Sequence, residues 1–216
     1  LGVTPRMATH VCWDKTEDGS YIAVKQYAES KGMKLGTLHP NTFSGQQFRF
    51  GSMCSPIREV REQTKEHFAD CVRICRELDC KTIGMWVADG TNYPGQDVLR
   101  ERKHRLFEGL KYLYDCMDSD MKLLLEYKPF EPFFYTTDVN DWGMSNLMCR
   151  KLGERAKVLV DLGHHVSGVN IEQIIATLLD EGQLGGFHFN NRRYADDDLI
   201  LGTVNPLEIF MIFREI

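Results

Sequence analysis

The feature that most constrains this chain is an alternation, repeated six times, of a short apolar run and a longer helical pattern. The apolar runs cover residues 6–13, 34–43, 81–90, 121–130, 156–165 and 182–190. Several are nearly continuous, as in Leu123-Leu124-Leu125 and Val158-Leu159-Val160. Strands of that kind are buried on both faces, which is how they sit in a parallel sheet covered by helices. Helical patterns follow over residues 20–32, 55–79, 97–118 and 141–156, and again from residues 170 and 205. Ser55-Pro56 reads as an N-cap with proline at the first helical position. Asn170-Ile171-Glu172-Gln173 has capping-box spacing, and Asn205-Pro206-Leu207-Glu208 repeats the device. Six successive βα units predict a parallel sheet with helical crossovers.

Two architectures satisfy that alternation, an open doubly wound sheet and a closed (β/α)8 barrel. The open sheet carries a glycine-rich phosphate loop after its first strand. This chain has neither GxGxxG nor GxxxxGK[ST]. Instead, ionisable and polar residues stand at the C-terminal end of nearly every apolar run, the arrangement of a barrel whose site is assembled from many βα loops. The expected fold is an α/β (β/α)8 TIM barrel with about six of its eight units present, as one partial domain over residues 1–216. The chain starts at Leu1 and stops at Ile216 inside an apolar helical pattern, so both ends are expected to be cuts through a longer protein.

Bulk properties exclude some functions. A formal net charge of −5 disfavours a nucleic-acid partner, which needs a basic face. No apolar run approaches the roughly 18 residues of a membrane span, and no signal peptide is visible. The seven cysteines are odd in number and form no CxxC pair, which suits a reduced, cytoplasmic setting.

The run ends carry the chemistry. In order they offer His10 and Trp13, His39 and Asn41, Trp86, Asp89 and Asn92, Glu126 and Lys128, Asp161, His164 and His165, then His188 and Asn190. Asp196, Asp197 and Asp198 follow in a loop. Glu126 and Lys128 are two apart on a strand and share a face. They form either a buried ion pair or a functional pair, and the cost of burying charge on a parallel strand favours function. Asp161-Leu162-Gly163-His164 sets a carboxylate and an imidazole three residues apart, either a capped turn or a cation site. His188 alone reads as a core histidine, but the neighbouring strand carries the Asp161–His164 pair. Glu126, Asp161, His164, His188, Asp196 and Asp198 are too many ligands for one octahedral ion. They are about right for two divalent ions sharing a carboxylate. The mixed oxygen and nitrogen set disfavours structural zinc. Trp13, Phe43 and Trp86 are either core filling or a dry wall for the cavity.

These motifs resemble those of xylose-isomerase-like barrels. The strings His10-Val11-Cys12-Trp13-Asp14, Trp86 through Gln96, Asp161-Leu162-Gly163-His164-His165 and Gly185-Gly186-Phe187-His188-Phe189-Asn190 are most similar to L-rhamnose isomerases of the broad-specificity bacterial type. The resemblance implies a structural metal on Glu126, Asp161 and His188. It implies a catalytic metal on His164 and Asp196, with Asp161 or Asp198 close by. His10, Trp13 and Trp86 would line the sugar pocket, and Lys128 would contact the O1/O2 end of the sugar. Lys128, His164 and Asp196 are thus the expected catalytic residues. Two divalent ions per chain are implied, Mn2+ first, with Co2+, Mg2+ or Zn2+ as alternatives. The full-length form would be a homotetramer. One departure stands out: the family closes its first metal site with an aspartate on the eighth strand, beyond the end of this chain.

The expected reaction is aldose–ketose isomerisation by a metal-assisted 1,2-hydride shift, on L-rhamnose or on aldoses such as D-allose or L-mannose. A sugar epimerase or proton-transfer isomerase needs two carboxylate bases flanking one carbon. Only one glutamate is well placed for that. An inactive truncated scaffold predicts no turnover. Phosphodiester cleavage needs more histidines and a basic surface.

Overall fold

A computed structural model of the chain describes residues 4–92, 95–131 and 135–216, so Tyr93 and Pro94 of the quoted string lie outside the described residues. Six parallel strands form the main sheet: β1 (Arg6–His10), β2 (Lys34–His39), β3 (Thr82–Trp86), β5 (Lys122–Glu126), β8 (Ala156–Asp161) and β9 (Leu184–His188). Their order is β1-β2-β3-β5-β8-β9, with every neighbouring pair parallel. The sheet curls into half of a barrel, as the βα alternation predicts. Each strand is shorter than its apolar run, because the chain leaves the ladder where the polar residues begin.

Side chains alternate across this sheet. Leu38, Ile83, Met85, Leu123, Leu125, Val158 and Val160 are fully buried. They share one core with Phe68, Leu106, Leu110, Leu113, Met148 and Ile175 of the helices. Each such residue contributes roughly 2 kcal/mol of transfer free energy. The alternate positions Ala8 and His10, Gly84 and Trp86, and Glu126 and Lys128 line a cavity on the other face.

The helices are α1 (Ile22–Ser30), α2 (Arg58–Leu78), α3 (Leu99–Cys116), α4 (Trp142–Leu152), α5 (Ile171–Asp180) and α6 (Pro206–Glu215). Three begin on a side-chain cap: Asp141 accepts from the Met144 N–H, Asn170 from Gln173 and Asn205 from Glu208. The Ser55-Pro56 start is corrected. The N-cap position of α2 is Ile57, with no side-chain cap. Asp89 binds the backbone N–H groups of Ser52 and Cys54 at 2.7 Å and holds that segment as a loop. Asp97 likewise stays outside α3, tied to Arg102 and Arg105.

A second, antiparallel sheet is absent from the sequence reading. Its strands are β4 (Gly90–Thr91), β6 (Phe130–Glu131) and β7 (Tyr135–Thr137), in the order β4-β7-β6. The strands are too short to carry a periodicity signal. They brace the loop after β5: the Lys128 N–H donates to the Val139 carbonyl at 3.0 Å, and the Thr137 hydroxyl donates to the Lys128 carbonyl.

Candidate metal centre

Register brings the first group together. Trp86 pairs with Glu126 across β3 and β5, and Asp161 pairs with His188 across β8 and β9. Glu126, Asp161 and His188 each offer a ligand atom, all within 4.8 Å of one another. Glu126 Oε1 lies 3.2 Å from Nδ1 of both His164 and His188. His188 Nδ1 lies 3.5 Å from Asp161 Oδ2. Burial alone would raise the Glu126 carboxyl, but the two imidazoles hold it down at about 2. Burial alone would lower His188, yet Asp161 and Glu126 raise it to about 10.

The second group forms on the turn leaving β8. Asp161, His164 and Asp196 also bring ligand atoms within 4.8 Å of one another, so Asp161 belongs to both groups. His164 Nδ1 faces the Tyr127 carbonyl at 3.0 Å, which turns Nε2 toward Asp196 Oδ2 at 3.4 Å. Against the effect of burial, Asp196 and Glu126 raise His164 to about 10. His164, aided by Lys128, holds Asp196 far below the usual carboxylate range. Asp198 lines the same cavity but stands outside both groups, joined to Asp161 through Asn190.

The donors fit a divalent cation. Both groups mix carboxylate oxygen with imidazole nitrogen and contain no thiolate, a set suited to Mn2+, Co2+ or Mg2+. Asp196 Oδ1 is buried without a hydrogen-bond partner among the described residues. A cation would satisfy that oxygen and take the place of the protons on the two histidines.

The cavity above these groups has a volume of about 810 Å3. His10, Phe43, Trp86 and Lys128 line it, as do Asp196 and Asp198. Lys128 Nζ lies 5.1 Å over the Trp86 ring and 2.8 Å from both Glu131 and Asp196. Trp13 is not brought to the wall. It is 55% exposed and touches the cavity wall through His10 and Phe43, at ring distances of 5.4 and 5.7 Å.

Residues outside the predicted set also belong here. His39 is stacked on His10 at 4.8 Å and lies against Gly84, where a β-carbon would meet its ring at 2.4 Å. Burial, then His10 and His188, lower His39 to about 4. His165 is also held near 4 by burial; its Nδ1 donates to the Leu162 carbonyl and its Nε2 accepts from the Tyr127 hydroxyl at 2.6 Å. Tyr127 thus steadies both adjacent histidines, one by its carbonyl and one by its hydroxyl. His39 and Asn190 are visible as polar residues ending apolar runs; the role of Tyr127 has no sequence signal.

Cys54, Asp89 and Asp138 form a third close group. Asp89 is spent on three donors from Ser52 and Cys54, and Asp138 on the buried Arg102 guanidinium. Burial pushes the Cys54 thiol far up, so it stays protonated. This group anchors loops and carries no free ligand set.

Residues 5–208 match the family described as xylose isomerase-like TIM barrel. The chain belongs to that family. It is 40% identical over 218 residues to a protein described as a probable sugar isomerase of Rhizobium meliloti (strain 1021), covering 99% of this chain and 50% of that one. A protein described in the same words from Mesorhizobium japonicum is 38% identical, over the same shares of each chain. This xylose isomerase-like chain therefore spans about half the length of the curated relatives it matches. Among solved structures, it resembles a D-psicose 3-epimerase with a TM-score of 0.72 and 19% identity, over 98% of this chain and 71% of that one. A D-tagatose 3-epimerase-like protein gives a TM-score of 0.73 at 14% identity, over 98% and 76%. At those identities the likeness concerns the fold.

Proposed function

We propose that this protein is a metal-dependent aldose–ketose isomerase, with L-rhamnose and L-rhamnulose as the first candidate pair and D-allose and L-mannose as further aldoses. One observation carries the reading: two ligand groups share Asp161 at the floor of a cavity that Lys128 and Trp86 wall. The description of both curated relatives as probable sugar isomerases supports it. The choice of L-rhamnose rests on the strings quoted above.

Two divalent ions held by Glu126, Asp161 and His188, and by Asp161, His164 and Asp196, would supply Lewis-acid polarisation of the sugar's O1 and O2 oxygens. The chain's own groups do the rest. Lys128 keeps its proton, because Asp196 and Glu131 outweigh the effect of burial. It can donate a charged hydrogen bond to the oxygen where negative charge grows. Phe43 and Trp86, in edge contact at 4.9 Å, keep water from the reacting carbons. His39, neutral above about pH 4, offers a hydrogen bond to a sugar hydroxyl without adding charge. The cavity's acidic residues are Glu126, Asp161, Asp196 and Asp198, all committed to histidine, lysine or amide partners. Among the described residues these partners leave no pair of free carboxylates on the cavity wall, and the hydride path is the one we propose.

The test is ketose formation from L-rhamnose, D-allose and L-mannose with Mn2+, with EDTA, and with Mn2+ restored. The reading expects metal-dependent ketose from at least one of them, with no deuterium in the product when the reaction runs in D2O. No ketose from any of the three with Mn2+, Co2+ or Mg2+ contradicts it. Deuterium at the transferred position overturns the hydride path in favour of proton transfer.

A further inference from the structure

Asn190 stands two residues beyond His188 and faces the same cavity, 8% exposed. Its Nδ2 donates twice, to Asp161 Oδ1 at 2.8 Å and to Asp198 Oδ1 at 3.0 Å. Those bonds fix the amide, because the flipped form would set its oxygen against two carboxylates. The carboxamide oxygen therefore points away from them. It is buried and has no hydrogen-bond partner among the described residues. Asp196 Oδ1 is in the same condition. Both oxygens lie 3.1 Å from the place where a β-carbon on Gly163 would stand, with Asp161 Oδ1 at 3.2 Å. Three oxygens thus crowd over the bare α-carbon of Gly163.

Two buried acceptors without a donor bear their full desolvation cost and repel each other. The donors among the described residues do not relieve them. Lys128 Nζ and His164 Nε2 both meet Asp196 through its other oxygen, Oδ2. Arg192 is turned to the Leu162 and Val166 carbonyls. What suits this place is a cation, and amide carbonyl oxygens are ordinary ligands of hard divalent ions.

We propose that Asn190 is a ligand of the second divalent ion, its carboxamide oxygen binding beside Asp196 while its NH2 group holds Asp161 and Asp198 in place. Gly163 leaves the room that this convergence needs. The inference rests on the two-cation reading of the site, and not on which sugar is converted.

The experiment is titration with Mn2+ alone, followed by the loss of the free-ion EPR signal, on wild type, Asn190→Ala and Asn190→Asp. Removing an outer partner of a ligand weakens metal binding about tenfold to a hundredfold, and removing a ligand does at least as much. Asn190→Ala is expected to weaken the second ion by about tenfold or more. Asn190→Asp keeps an oxygen in place and is expected to bind the second ion as tightly as wild type or more tightly. The proposal is overturned if Asn190→Ala keeps wild-type affinity for both ions. It is also overturned if Asn190→Asp loses the second ion as Asn190→Ala does, because the NH2 group alone would then matter. If Asn190→Ala does not fold, Asn190→Asp decides by the same criterion. Ketose formation is followed in parallel. Two bound ions with no ketose would contradict the isomerase reading and leave this one standing.

Discussion

The Nζ of Lys128 lies 2.8 Å from Oδ2 of Asp196, so a buried ammonium and a proposed ligand of the second cation are paired before any sugar enters. Lys128 is also the partner of Glu131. In Lys128→Met both carboxylates lose that cation. Removing one member of a buried pair costs about 3–5 kcal/mol. The loss should be near that figure in EDTA and clearly smaller with saturating Mn2+, which gives Asp196 a new cation. Urea unfolding under the two conditions measures it. Equal losses would separate Lys128 from the metal centre.

Metal affinity should rise with pH. Burial alone would lower His164 and His188, but their carboxylate neighbours hold both protonated up to about 10 in the metal-free protein. Each must release its proton before it binds a cation. The dissociation constant for Mn2+ should therefore fall between pH 6 and 8.5, by at most about one decade per pH unit for each histidine displaced. Calorimetric titration across that range reads the slope, and a flat profile counts against imidazole ligands.

Acid stability should reflect the histidines that burial keeps neutral, His39 and His165 foremost. Burial lowers His39 and His165 from 6.5 to about 4. Between those values the unfolded chain binds a proton that the folded chain does not, so stability falls as pH drops from 6.5 to 4. Each contributes roughly 3 kcal/mol to that loss. His164 and His188 add nothing in this window, being protonated in both states below about pH 6; their contribution fades only as pH climbs toward 10. In His39→Gln the slope of stability against pH over this window should become shallower. Urea midpoints at several pH values test this, and an unchanged slope would place the titration elsewhere.

The sheet was legible because Leu123-Leu124-Leu125 and Val158-Leu159-Val160 are short, nearly continuous apolar runs that alternate with helical patterns, as strands of a covered parallel sheet do. The convergence of the candidate ligands was legible for a related reason: a charged residue directly after such a run faces the cavity, and Glu126 and Asp161 do. The same rule misplaced Asp89, which follows a similar run. Its carboxylate turns to the backbone of Ser52 and Cys54, and no spacing in the sequence announces that contact. Trp13 shows the converse limit, since the turn at Cys12, with φ 74°, leaves the next side chain largely in solvent. Tyr127 acts through its carbonyl and its hydroxyl, and Asn190 through its amide; only the folded structure reveals such pairings.

Counting bound Mn2+ in wild type and in Asp161→Ala decides whether Glu126, Asp161, His164, His188 and Asp196 hold two cations with Asp161 common to both. Equilibrium binding followed by EPR should give two ions per wild-type chain and none held tightly by the variant, with the fold checked by circular dichroism. Two ions retained by a folded Asp161→Ala, or no tight ion in wild type, would contradict that arrangement.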